Sequence, residues 1–439
     1  KHSDINNLYS AITGKPRLPL ILTSDIGIIG DAAGPLAGEI SHWQGDLKLI
    51  LNNVPAEYNH SGTYLSANLF GNVAATGPIV DPQFKIDLDA KDLVISSSGV
   101  TLAEFRPVLR ASGRYPILTI ALHTSGTGGR LTAGDLRIEK VKIDIDQGRL
   151  DLHAMDLSIP RISLSTETLA NLTASFNGNP NRIRLRVKGR NTGLGRTAAG
   201  SGYLPSDWRY HAEDILDLAF KWQADKGMSM DSRVDLTEFR FSSPEESRIG
   251  EAVQARLETT SRFSPSNGVI HSELKLSAAS GEVLWDRFYF DLAATPFAAV
   301  GKIDWDPVQR QMSVDRLVTS LKDLLSFNIS GSVEPGTQNT RMNLVVEMAE
   351  SKAQNLYRHL IAEPFKFERP ALSEIEIDGR IGGQASFSGE IDALIMKGRA
   401  YWKKGYFSKK KGSLTLSGID LDLPLWYEAT PEKNSGHPI

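Results

Sequence analysis

The residues of this chain that could perform chemistry are scattered and form no recognised catalytic motif. Its nine histidines include no His-Glu-x-x-His or His-x-His pair, so the sequence gives a zinc site no local support. Alternating acids such as Asp87 and Asp89 could form a carboxylate pair or a calcium ladder. The same spacing also suits the solvent face of a strand whose other face is apolar. Neither a P-loop nor a Gly-x-Ser-x-Gly elbow occurs. We therefore predict a protein that is not an enzyme and needs no cofactor or metal.

One cluster of cations and aromatic residues lies near the C-terminal end of the sequence. Residues 401–411 interleave four aromatic side chains with five lysines. A hairpin at a sheet edge, in which the lysines prevent aggregation, explains this composition. In the alternative, the lysines contact anionic lipid headgroups while the aromatic rings lie at interfacial depth. The residues of that alternative are Lys403, Lys404, Lys409, Lys410 and Lys411.

The elements that position these residues are runs with an apolar side chain at every second position. In Arg182–Lys188, three aliphatic residues alternate with four cations. A period of two predicts a β-strand with one apolar face and one solvated face. Gly, Pro and Asn separate the runs, which favours a mainly β chain of antiparallel strands. The predicted apolar face contains Ile86, Leu88, Ile143, Ile145, Ile183, Leu185, Val187, Leu274, Leu276, Ile375, Ile377, Phe387, Leu414 and Leu416.

A few short helices are expected within this β framework. Val314, Leu317 and Leu321 have helical spacing, which predicts a helix near 314–326. A second helix is predicted near 352–362, where Ser351 and Gln354 fit a capping box and a proline follows. Residues 191–212 are poor in apolar side chains and rich in Gly, Ser and Thr. They predict a loop or linker between a repetitive β segment at 1–190 and its continuation at 213–439.

Composition limits the compartment and the partners. The net charge of -3 argues against nucleic acid as a partner, because phosphate-binding surfaces usually carry a basic excess. Cysteine is absent, which favours an oxidising bacterial envelope, where stray thiols would mispair. The sequence starts at Lys1 without an initiator Met, so we expect a fragment from which a signal peptide or anchoring helix is missing.

The C-terminal third resembles a known family. A short helix precedes a strand, D-G-R-I-G-G follows at Asp378–Gly383, and S-G-I-D-L-D-L-P-L closes the region at Ser417–Leu425. These features resemble the AsmA-like superfamily of bacterial envelope proteins, of the YdbH and TamB type, and are closest to the YdbH C-terminal domain. The resemblance implies an elongated, strongly curved antiparallel sheet, a β-taco, whose apolar groove carries phospholipids between inner and outer membranes. It also implies a periplasmic protein that is anchored in the inner membrane by an N-terminal helix and that meets an outer-membrane protein.

Two functions are compatible with these features. Under the first, the apolar face is an open groove for acyl chains. Under the second, the chain is an envelope scaffold or binding protein, and its apolar faces pack on each other in a closed β core. Alternation is the same in both, so the exposure of the apolar side chains is the observation that separates them.

Overall fold

The chain is mainly β, as the alternation predicts, and its strands pair antiparallel. The computed structural model describes residues 20–22, 27–33, 43–60, 63–97, 99–133, 136–193, 205, 207–224, 226–263, 268–335, 340–409 and 414–429. Two compact units form: unit 1 contains Lys1–Ser206 and Ala219–Ala224, and unit 2 contains Asp207–Leu218 and Asp225–Ile439. No helix among the described residues is long and apolar enough to cross a bilayer.

Unit 1 is built from thirteen described strands, and most of them pair with the next strand along the chain. The strands are β1 (Leu20–Leu22), β2 (Gly27–Ala33), β3 (Gln44–His60), β4 (Thr63–Pro78), β5 (Gln83–Ser97), β6 (Val100–Phe105), β7 (Pro107–Arg114), β8 (Ile117–Thr124), β9 (Gly129–Ala133), β10 (Leu136–Asp151), β11 (Asp156–Ser165), β12 (Leu172–Asn179) and β13 (Arg182–Arg190). Strand β6 departs from the sequential order, because it pairs with both β5 and β9, while β5 also pairs with β7.

Strand β14 (Arg209–Gln223) contributes residues to both units. The predicted linker at 191–212 is therefore too long, because its last four residues belong to this strand. Tyr210 and Ala212 are half-buried between exposed neighbours, so they continue the alternation that the linker composition concealed. The predicted linker also includes residues 194–204 and 206, which lie outside the described ranges.

Unit 2 continues with antiparallel strands and one helical insert. The strands are β15 (Gly227–Ser242), β16 (Arg248–Phe263), β17 (Ile270–Trp285), β18 (Phe288–Asp291), β19 (Phe297–Asp306), β20 (Gln311–Leu321), β21 (Leu325–Glu334), β22 (Arg341–Lys352), β23 (Ile375–Glu390), β24 (Ile395–Lys409) and β25 (Thr415–Glu428). Helix α1 (Ala353–Tyr357) runs into a π-helical turn at Arg358–Ala362. Single 3-10 turns occupy Pro370–Glu374 and Ile391–Ala393.

The prediction of a helix near 314–326 is wrong, because these residues lie in β20, the following turn and β21. Val314 pairs with Ile303 and Leu317 pairs with Gly301, so β20 has one residue more than β19 across this interval. This β-bulge puts two apolar residues on the same face although they are three positions apart. A bulged strand thus reproduces the i, i+3 spacing of a helix.

The helix predicted near 352–362 is confirmed, but the predicted capping box does not form. Lys352 is the N-cap residue, and no side chain hydrogen-bonds to the helix start. The hydroxyl of Ser351 donates instead to the carbonyl of Ala349, at 3.2 Å. The helix is stabilised by packing, since Ala353 and Leu356 are buried.

Bulges recur within the long strands, and buried apolar residues lie beside several of them. In β3 the register shifts between Leu51 and Val54, and Val54 is 0% exposed. Leu47, nearer the strand end, is 43% exposed. In unit 2, Val253 and Val314 are likewise buried beside bulges. A bulge bends its strand, so these strands bend close to the buried residues Val54, Val253 and Val314.

Candidate functional site

Cross-strand register brings the predicted apolar residues of unit 1 onto one face. Directly paired residues of an antiparallel ladder lie on the same side of the sheet. Ile86 pairs with Val73 on one side and Ala111 on the other. The resulting row contains no charged residue and consists of Leu49, Val73, Ile86, Ala111, Ile120 and Gly148. A parallel row consists of Leu51, Gly71, Leu88, Leu109, Leu122 and Ile145.

The same face continues to the end of unit 1. Ile143 pairs with Leu164, and Leu185 pairs with Phe176. A third row therefore joins the first two rows to β13 and consists of Leu118, Leu150, Leu157, Gly178 and Ile183. Val187 extends the face beside it by pairing with Ala174.

Unit 2 has an equivalent apolar face, and its rows are longer. Leu276 lies in the row Leu257, Leu276, Ala299, Thr319, Phe327, Met348, Gly383, Ala400 and Leu423. Leu274 lies in the row Thr259, Leu274, Gly301, Leu317, Ile329, Val346, Ala385, Gly398 and Leu425. Phe387 lies on the same face and pairs with Leu344 and Met396. We call the apolar faces of the two units, each taken within its own unit, the apolar rows.

The remaining predicted residues lie at the start of β23 and at its neighbours. Ile377 pairs with Phe407, which pairs with Leu416. Ile375 and Ile377 line a cleft of 560 Å³ beside α1, together with Tyr357 and Leu372. The Tyr357 hydroxyl donates to the carbonyl of Leu372 at 2.7 Å, and burial raises the pKa of this phenol. The insert thus meets the apolar rows at this end of unit 2.

Exposure distinguishes the apolar rows from a closed core. Among the fourteen predicted apolar residues, Ile145 is buried, Leu414 and Leu416 are exposed, and the rest are half-buried. Inward side chains of a closed sandwich would interdigitate with a facing sheet and lose nearly all contact with water. Most side chains of the apolar rows instead retain accessible surface, although Leu51, Leu118 and Ala299 are buried.

The opposite face is polar, and two of its acids lie beside a basic side chain. Asp87 lies 3.8 Å from the Arg110 guanidinium, and Asp144 lies 3.4 Å from His123. Both carboxylates are on strands whose other face is apolar, as the solvent-face interpretation expects. In the described ranges, no group of three His, Asp or Glu side chains has a metal-binding arrangement.

Among the predicted headgroup lysines that the structure describes, Lys403 and Lys409 do not share one surface. Lys403 pairs with Arg380 and Lys409 pairs with Ile375, five positions apart on β23, so they lie on opposite faces. The Lys403 ammonium donates to Glu350 at 2.7 Å, and this hydrogen bond raises the pKa of Lys403. Lys404 occupies a bulge with φ 49°. Lys410 and Lys411 lie outside the described residues.

Sequence reasoning missed several contributors to the apolar rows. Val73, Ile120 and Phe176 were detectable as alternating positions, whereas Leu317 was obscured by the bulge in β20. In comparisons with known proteins, no family model, no curated protein and no solved structure matches the chain. Function must therefore be argued from the apolar rows themselves.

Proposed function

We propose that this chain carries phospholipids along its apolar rows, as a periplasmic bridge between the inner and outer membranes, like the AsmA-like proteins it resembles. The observation that carries the proposal is the partial exposure of most side chains in rows that contain no charged residue. Acyl chains can lie on such a surface while their headgroups remain in water. The polar opposite face keeps the sheets soluble and needs no part in the transport.

The physical requirement is continuity of apolar surface. Each methylene that leaves an apolar environment costs about 0.8 kcal/mol, so one charged side chain in a row would form a barrier. The row through Ile86 crosses β3, β4, β5, β7, β8 and β10 with only Leu, Val, Ile, Ala and Gly. Carriage along it requires no bond to form or break, which agrees with the prediction of a non-enzymatic protein.

The closed-core scaffold is less well supported. It requires the rows to be covered by other side chains, yet Ile183, Leu185 and Val187 retain partial exposure along the whole of β13. Their regular alternation of half-buried and exposed positions is that of a single sheet with one apolar side.

Lipid content provides the direct test. The protein is purified without detergent, and bound phospholipid is measured by native mass spectrometry and by solvent extraction. We expect phospholipid that copurifies in stoichiometric amounts and exchanges with fluorescent phospholipid supplied in vesicles. A folded preparation that contains no phospholipid and takes none up from vesicles would contradict the proposal and favour the scaffold.

A further inference from the structure

The insert between β22 and β23, residues 353–374, presents apolar side chains to solvent in unit 2. Phe367 is 87% exposed, and Ile361 is also exposed. An exposed apolar residue needs no special explanation when it occurs singly. Phe367, however, lies in a group of aromatic and cationic side chains, so its exposure calls for an explanation.

The insert is held firmly at its base. Ala353 and Leu356 are buried, and the Asn355 amide donates to the carbonyl of Asp323 at 2.8 Å. The hydrogen bond between Tyr357 and Leu372 closes the insert from within. Phe367 is therefore displayed by a segment with its own packing and hydrogen bonds.

The turn between β17 and β18 supplies the second part of this surface. The Arg287 guanidinium lies 3.4 Å from Glu368 and 4.6 Å from the ring centroid of Phe365. Trp285, two residues earlier, is exposed, and the Arg248 guanidinium lies 5.0 Å from its ring centroid. Two segments that are far apart in sequence thus form one surface, which we call the aromatic patch: Arg248, Trp285, Arg287, Phe365, Lys366 and Phe367.

Each ring of the aromatic patch has a cation beside it. The third pair is Lys366 and Phe367, with the ammonium 5.2 Å from the ring centroid. Three of the five cation–aromatic contacts in the described part of the chain lie here. Residues 285–287 and 358–369, together with Arg248, contain five Lys and Arg residues but only three Asp and Glu residues. This region is therefore locally positive, whereas the whole chain has a net charge of -3.

We propose that the aromatic patch docks unit 2 onto the surface of an anionic phospholipid bilayer. Aromatic rings favour the boundary between headgroups and acyl chains, and Lys or Arg side chains reach the phosphates from there. Arg248, Arg287 and Lys366 each lie beside a carboxylate, so the local excess of positive charge comes from Arg358 and Arg369. This excess complements an anionic leaflet. Docking is distinct from cargo binding, because none of the six residues of the aromatic patch belongs to the rows of paired apolar side chains.

The test measures binding to vesicles by co-sedimentation, with phosphatidylcholine alone and with phosphatidylcholine mixed with phosphatidylglycerol. We expect the wild-type protein to prefer the mixed vesicles and to lose affinity as salt rises. Phe367→Ala should weaken this binding about tenfold, since the ring no longer enters the interface. Fold stability should not change, because this side chain is almost fully exposed.

Val308→Ala is the matched control, since Val308 is 86% exposed in the turn between β19 and β20 of the same unit. It should bind mixed vesicles like the wild type. Docking is overturned if the wild type ignores both vesicle types, if Phe367→Ala binds normally, or if Val308→Ala loses as much affinity. Copurifying phospholipid, measured in parallel, should be equal in all three proteins, so that a failure of docking and a failure of lipid carriage give different results.

Discussion

A carboxylate at Leu185 should interrupt the apolar face of unit 1 while leaving the protein folded. Leu185 lies in the middle of β13 and pairs with Phe176, which in turn pairs with Ile159. The charge in Leu185→Asp would therefore occupy the centre of the proposed acyl path. Asn177→Asp is the matched control, because Asn177 lies on the opposite face of β12, pairs with Arg184, and gains the same single charge.

The size of the effect follows from the strand spacing. About four methylenes of an extended acyl chain lie beside one strand, given a spacing of about 4.8 Å. If they lose their apolar contact, the cost is about 3 kcal/mol at about 0.8 kcal/mol per methylene. That is about a hundredfold in occupancy or transfer rate. The folded state loses only about 1 kcal/mol, since the half-buried leucine contributes about half of a full burial.

Two assays separate these effects. Transfer of fluorescent phospholipid between vesicles should fall about a hundredfold for Leu185→Asp and stay near the wild-type rate for Asn177→Asp. The urea midpoint, followed by circular dichroism, should decrease slightly for Leu185→Asp. Global unfolding of Leu185→Asp would refute the open face, because only a closed core makes a carboxylate there intolerable. Unimpaired transfer by a folded Leu185→Asp would refute the acyl path.

Two further predictions concern unit 2. Gly281→Ala should destabilise the protein by several kcal/mol, because Gly281 has φ 103° and a Cβ there would lie 2.5 Å from the Cα of Val253. The control is Gly268→Ala, because Gly268 has φ 70° and open space around it. Its free energy of unfolding, measured by denaturant titration, should decrease by about 1 kcal/mol. Burial raises the pKa of Asp235, but hydrogen bonds from Arg256 and Arg233 outweigh it, so the net pKa lies below the usual range. This carboxylate therefore stabilises the fold above about pH 4 and loses its effect as pH falls through the lowered pKa. The difference in urea midpoint between wild type and Asp235→Asn should be largest at neutral pH and disappear in acid; a constant difference would contradict the ion-pair explanation.

The helix predictions indicate where local pattern suffices. The helix near 352–362 was predictable because Leu356 and Leu360 repeat at helical spacing and Pro364 ends the helical pattern. The helix predicted at Val314 and Leu317 was wrong because local pattern does not suffice there. A bulge depends on how many residues the neighbouring strand has across the same interval. No window of one strand contains that information. The aromatic patch was missed for a similar reason, because Arg287 and Phe365 are brought together only by folding.

The sequence by itself determined which side chains of each strand are apolar, because alternation is a local property of an extended chain. Ile86, Leu185 and Leu274 were identified in this way. The tertiary structure decided which of these residues become neighbours, because register depends on pairing between distant strands and on the bulges within them. It also decided that most side chains of the rows remain at least partly exposed, since burial depends on what lies opposite a face. That exposure, which no alternation pattern encodes, is the feature on which the proposed carriage of lipids rests.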